Sequence, residues 1–150
     1  MKDQYVGDIG DYPKLGLLRV IEKAGFSIGV NWYLTAPDGG KDGRKAGYLN
    51  KACDTPDTVL FNALQGIRKE RSIEAIEKSN LLTNTKYFNE ELDSVYRKSW
   101  HEKAILHLCG QDIIFLDPDN GFEVKSVNPH FLNGNKYITY DEAADYFCKK

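Results

Sequence analysis

The chain has 150 residues, 41% of them hydrophobic and 12% aromatic, with a formal net charge of −2. That is enough apolar material for one core, so a single domain spanning 1–150 is expected. The charge argues against a protein held on nucleic acid mainly by phosphate neutralisation, although a local basic face would still allow contact. Cys53, Cys109 and Cys148 lie far apart without a CxxC or Cys/His cluster, which predicts free thiols and neither a disulfide framework nor a structural zinc site. No stretch approaches the roughly 20 apolar residues of a membrane span, and the polar start MKDQYVGD lacks a signal-peptide apolar region, so a cytoplasmic location and no membrane partner are expected.

Taken in order, the first element is a helix. Asp11 precedes apolar residues at Leu15, Leu17, Leu18, Ile21 and Ala24, Pro13 stands in the first turn, and Gly25 falls just past the end. Ahead of it, the segment from Tyr5 to Tyr12 carries Gly7, Asp8, Gly10 and Asp11. It reads either as an N-cap with surface turns or as a ligand loop at a helix N-terminus.

Phe26–Thr35 is β-rich and predicts a first strand, central or near-central in its sheet. It leaves through a glycine-rich loop containing Asp38, Gly39, Gly40, Lys41, Asp42, Gly43 and Arg44. Such a loop after a strand lets backbone N–H groups approach a phosphate or nucleoside, yet the glycine order is neither GxGxxG nor GxxxxGK[ST]. A solvated loop and a ligand-contacting loop both stay open.

Residues 54–71 predict a second helix, begun by Thr55, Pro56 and Asp57, with Arg68 to Arg71 as a solvated charged exit. In 72–82 a helix and a strand compete, and a short strand near Ile73–Glu77 is favoured because it suits an alternating α/β chain. Residues 89–108 predict the longest helix, opened by Asn89 with Glu90 and Glu91 in its first turn. On it, Arg97, His101 and His107 are expected to face solvent and Trp100 to pack as a core aromatic.

The run QDIIFLDPDNG, 111–121, is the strongest candidate for a site. Ile113, Ile114, Phe115 and Leu116 form a continuous apolar run, which predicts a strand covered on both faces. It stops on Asp117, Asp119 and Asn120 within a turn set by Pro118 and Gly121. Ligands of parallel α/β sheets sit beyond the strands' carboxyl ends, where these three residues fall. A loop follows to Asn135, then a short strand Lys136–Tyr140 and a final helix capped by Asp141.

Two stretches, YVGDIGDYPKLGLLR near the start and DIIFLDPDNG followed by KYITYDE near the end, resemble an uncharacterised family of bacterial and phage proteins. The likeness covers nearly the whole chain. Family members continue past the position of Lys150 into another apolar strand, so the chain resembles a shortened form. A partner subunit is one source of the missing strand, which admits a homo-oligomer.

More distantly, the layout is similar to Rossmann-like S-adenosylmethionine-dependent methyltransferases of the ribosomal RNA adenine type. The fold this implies is three-layer α/β, with a mostly parallel sheet, flanking helices and a shortened C-terminus. By that resemblance Asp11 and Lys14 would serve the cofactor from the first helix, Asp38, Gly39, Gly40 and the rest of the loop to Gly43 would contact it, and Asp117, Asp119 and Asn120 would stand at the DPPY-type catalytic turn; Asp8 ahead of the helix and Arg44 after the loop are further candidates for cofactor contact. Asp119 and Asn120 replace the second proline and the aromatic of DPPY.

The leading expectation is a methyltransferase-like protein that binds a nucleoside-containing ligand, with S-adenosylmethionine as the cofactor the likeness implies. A second is Mg²⁺-dependent phosphoester hydrolysis, with Asp117 and Asp119 as metal ligands. A third is a non-enzymatic phage or mobile-element protein that binds a nucleotide or a host protein.

Overall fold

The computed structural model describes residues 1–37, 43, 45–50, 56–128 and 131–148, the last without its side chain. The fold is α/β, a three-stranded parallel sheet with flanking helices. The chain divides into two compact units. One holds Met1, Ser27–Ala36 and Thr85–Lys150, and the other holds Lys2–Phe26 and Pro37–Asn84.

All three strands belong to the first unit. They are β1 (Ile28–Asn31), β2 (Thr85–Phe88) and β3 (Ile113–Leu116), in the order β2-β1-β3. Both pairings are parallel, with Ile28 opposite Thr85 on one side and Ile113 on the other. The central β1 is buried throughout, in line with the central or near-central place expected for Phe26–Thr35.

β3 departs from expectation. All four of its residues are half-buried, because it forms an edge of the sheet and lacks a second neighbour among the described strands.

Helix α4 (Arg97–Leu108) packs on β1 and β2. Gly29 permits this: a Cβ there would stand 2.7 Å from Cδ1 of Ile114 and 3.3 Å from Leu108. The core below α4 joins Tyr33, Phe88, Trp100, Leu108, Ile138 and Tyr146. Tyr33 and Trp100 meet edge to face at 4.9 Å, a favoured aromatic geometry.

The expected opening of this helix at Asn89 is corrected to Arg97. Residues 89–96 instead spend their backbone on other elements: Leu92 N–H donates to Leu34 O at 2.8 Å, and Glu90 O accepts from the Trp100 indole at 2.8 Å. The expected strand Lys136–Tyr140 reduces to one isolated bridge, Phe122 to Ile138. Helix α5 (Tyr140–Cys148) follows, and its cap is Thr139 in place of Asp141. The Thr139 hydroxyl accepts from Glu142 N–H and the Glu142 carboxylate accepts from Thr139 N–H, both at 3.1 Å, which is a capping box.

The second unit is helical, built from α1 (Asp11–Lys23), α2 (Thr58–Glu70) and α3 (Ile73–Lys78). α1 keeps its predicted limits, and Gly25 adopts φ +98 just beyond it. Asp57 caps α2 by accepting from Leu60 N–H at 2.9 Å, and Arg19 of α1 reaches the same carboxylate at 2.8 Å. The strand expected near Ile73–Glu77 is corrected to helix α3: the Ser72 hydroxyl accepts from Ala75 N–H at 3.1 Å, starting a turn that buries Ile73 and Ile76.

The charged exit of α2 is not simply solvated. Arg68 donates to Val6 O and Gly43 O at 3.0 and 3.3 Å, and Arg71 donates to Gln4 O and Gly43 O, so two guanidinium groups hold backbone carbonyls of the surrounding loops.

Candidate functional site

The carboxyl ends of β1 and β3 carry the site's polar groups. Beyond Asn31 the chain turns sharply, with Tyr33 at φ +46, a conformation held by Tyr33 N–H donating to the Asn31 carboxamide oxygen at 3.0 Å. This turn aims the carbonyls of Trp32 and Tyr33 at one point. Beyond Leu116, Asp117 uses its backbone in two directions: its N–H donates to Asn31 O at 2.9 Å, and its C=O faces the same point.

The amino group of Met1 occupies that point. It donates to Trp32 O at 2.9 Å, Tyr33 O at 3.1 Å and Asp117 O at 3.0 Å, and it lies 2.9 Å from Oδ1 of Asp119. Both side chains of this ion pair are only 4% exposed. Thr35 adds a longer bond from its hydroxyl to Asp119 Oδ2 at 3.4 Å, and its N–H donates to Met1 O at 3.1 Å. The result is a set of three carbonyls and one carboxylate around a single nitrogen, made of acceptors alone. At an effective dielectric near 20, an ion pair at this distance carries roughly 6 kcal/mol of direct attraction before desolvation is subtracted.

Of the predicted catalytic residues, Asp117 contributes through its backbone and Asp119 through its carboxylate. Asn120 is exposed, and its N–H ties the turn to Lys136 O at 2.8 Å. The same turn leads to an exposed aromatic stack, Phe122 on Tyr140, at 4.9 Å and 13°. Among the described residues, no three or more of His, Cys, Asp and Glu are grouped to hold a metal ion.

The predicted cofactor residues of the first helix lie together in the helical unit. Asp11 is buried; its carboxylate accepts from Gly7 N–H at 2.7 Å and lies 3.3 Å from Lys14 Nζ. Asp8 accepts from Ile9 N–H at 2.6 Å, and its carbonyl accepts from the Tyr48 hydroxyl at 3.3 Å. Burial, then the nearby charges of Asp11 and Asp8, push the Tyr48 phenol up to about 12. These contacts serve the local loop, but not as a helix cap: the N-cap of α1 is Gly10, and no side chain caps it.

Asp38, Gly39, Gly40 and Arg44 lie outside the described residues. Gly43, beside them, has φ +75 and sits so near Gln4 O that a Cβ would collide with it, so backbone packing alone accounts for that glycine.

Sequence reasoning missed a second polar cluster, inside the sheet unit. Arg97, expected to face solvent, is 4% exposed. It grips Glu142 with Nε to Oε1 at 2.6 Å and Nη2 to Oε2 at 2.7 Å, and it donates to the carbonyls of Gly134 and Tyr137. Next to it the Tyr33 phenol lies 3.4 Å from Glu142 Oε2. Burial, reinforced by the Glu142 charge, raises that phenol's pKa far above the ordinary tyrosine range. Asn31 donates from its amide to the Tyr146 hydroxyl at 2.8 Å, and burial raises the Tyr146 pKa as well.

His101, also expected to face solvent, is 7% exposed, and its Nε2 lies 3.2 Å from Asp145. The signal available in the sequence was Thr139-x-x-Glu142, a capping-box pattern that places a carboxylate at a helix start.

No helix among the described residues is long and apolar enough to cross a membrane. No protein-family model, curated protein or solved structure matches the chain.

Proposed function

We propose that this is a Rossmann-like, methyltransferase-like α/β protein that binds a nucleoside-containing ligand at the carboxyl ends of β1 and β3, using acceptors that receive an amino group. The observation that carries this reading is the acceptor-only set formed by Trp32 O, Tyr33 O, Asp117 O and the Asp119 carboxylate. Such a set suits an ammonium or an exocyclic amine and repels a phosphate or carboxylate. The parallel order β2-β1-β3 supports the same place, since ligands of such sheets sit beyond the strand ends.

S-adenosylmethionine fits this acceptor set through its α-ammonium and its adenine amine, both of which donate. When bound, it would supply a transferable methyl group, while the chain's own residues would hold and orient an amine. Mg²⁺ fits less well, because Asp119 already faces an ammonium at 2.9 Å that competes with a dication.

A ligand amine at this point must displace the amino group of Met1, which gives the test. Calorimetry with S-adenosylmethionine, its demethylated product, AMP and Mg²⁺ is combined with the rate at which an amine-selective reagent labels Met1. A nucleoside ligand should bind and raise the labelling rate severalfold, and Asp119→Asn should weaken binding by about tenfold or more, the loss of one charge-assisted contact. Absence of nucleoside binding at millimolar concentration, or binding that leaves Met1 labelling unchanged, overturns the reading.

A further inference from the structure

The two outer strands of the sheet differ in a way the ligand site does not use. β2 carries Lys86 at an exposed position, a charge of the kind that discourages further strand pairing. β3 carries Ile113, Ile114, Phe115 and Leu116, all half-buried and without a charge among them. Ile113 N–H donates to Ser27 O at 3.1 Å and Asp117 N–H to Asn31 O at 2.9 Å, both toward β1. The alternate residues Ile114 and Leu116 therefore turn their N–H and C=O groups outward, where no strand pairs with them among the described residues.

We propose that this edge binds an extended apolar segment of another protein by strand addition, and that the segment is flanked by lysine or arginine. The charge around the edge selects that occupant. Neither 111–124 nor 137–148, the stretches that hold β3 and α5, contains a lysine, arginine or histidine, while Asp112 and Asp141 are exposed within them, Asp112 also accepting from Ser27 N–H and Oγ at 2.8 and 2.7 Å. Basic residues beside the apolar core of an added strand meet these carboxylates.

A second copy of this chain fits worse. Pairing β3 with the same edge of a second copy brings two acidic stretches that lack lysine, arginine and histidine side by side, so the charge that attracts a basic segment works against the copy. The apolar core of the segment supplies side chains for both faces of the edge. On the α4 face these meet Ile105, Ile114 and Tyr146, which line a shallow notch.

The test uses the full chain and fluorescence polarisation of labelled decapeptides, each with four alternating valine and phenylalanine residues at its centre. One peptide is flanked by lysines, one by glutamates, and a third keeps the lysines but is N-methylated at alternate central residues, which removes donors without changing charge. The lysine-flanked peptide is expected to bind in the micromolar range. The glutamate-flanked and N-methylated peptides should each bind at least about tenfold more weakly.

The exposed pair Asp112→Asn and Asp141→Asn should narrow the gap between lysine and glutamate flanks, with circular dichroism unchanged. Equal binding of the methylated peptide, equal binding of the glutamate peptide, or concentration-dependent self-association that the lysine peptide does not compete with overturns the proposal.

Discussion

Arg97 shows how a single residue can defeat a surface expectation. A guanidinium on a helix is ordinarily solvated, yet this one meets a carboxylate 45 positions along the chain and two carbonyls on the way, and its five donors explain why it tolerates burial. Arg97→Met should destabilise the protein by about 3–5 kcal/mol in urea unfolding, because Glu142 is left buried and charged. Adding Glu142→Gln should recover part of that loss, since the neutral amide keeps the capping oxygen and strands no charge. A double variant no better than Arg97→Met alone would assign the whole effect to lost packing.

Asp57 offers a pH-dependent counterpart. The bond from Leu60 N–H, followed by Arg19, holds its carboxyl below the usual aspartate range. A depressed folded pKa means that its stabilisation is fully present above about pH 4 and is lost as pH falls through the folded value. Asp57→Asn should retain the cap but flatten the acid limb of the stability curve, measured as urea midpoints between about pH 5 and pH 2.

At the scale of elements, those with two independent signals were legible in the sequence. α1 had Pro13 and Gly25 at its ends, α2 had Asp57, and β1 and β3 had apolar runs closed by turn residues. The errors arose where one signal stood for two structures. Ile73 and Ile76 fit a buried strand or a short helix, and only the Ser72 cap, a side chain meeting a backbone N–H, decides for α3. Thr85–Phe88 carries no comparable signal, since four residues between polar neighbours give little periodicity.

Asn89, Glu90 and Glu91 imitate a helix start, but the long-range bond from Leu92 to Leu34 keeps that backbone extended until Arg97. The strand ends of the candidate site were legible as DPDNG, whereas the arrival of an amino group there, from 116 residues away, left no local trace. Packing between elements is also checkable at Gly29. Gly29→Ala should cost about 1–3 kcal/mol in thermal or urea unfolding, because its methyl has to displace Ile114 and press on Leu108. A neutral result would mean that α4 stands farther from the sheet.

For the whole molecule, the unit that contains the sheet is discontinuous. β1 enters it as Ser27–Ala36, between two stretches of the helical unit, and β2, α4, β3 and α5 arrive only after Thr85. A fragment covering 85–150 lacks the strand that both β2 and β3 pair with, so its circular dichroism should show little sheet and its amide NMR spectrum should be poorly dispersed. Supplying residues 26–36 as a peptide returns the central strand together with Tyr33 of the core, so the mixture should gain sheet signal and amide dispersion that neither piece shows alone.

The central position of β1 has a further consequence for the order of events during synthesis. Ile28 leaves the ribosome long before Thr85 and longer still before Ile113, its two partners in register. Until they emerge, an apolar strand waits with neither neighbour. Closing such distant contacts is slow, because the entropy of the intervening loop must be overcome before any pairing rewards it. The nascent chain is therefore most vulnerable to misassociation between the emergence of Asn31 and that of Leu116, and holding factors acting in that interval should raise its yield more than any change to the finished surface.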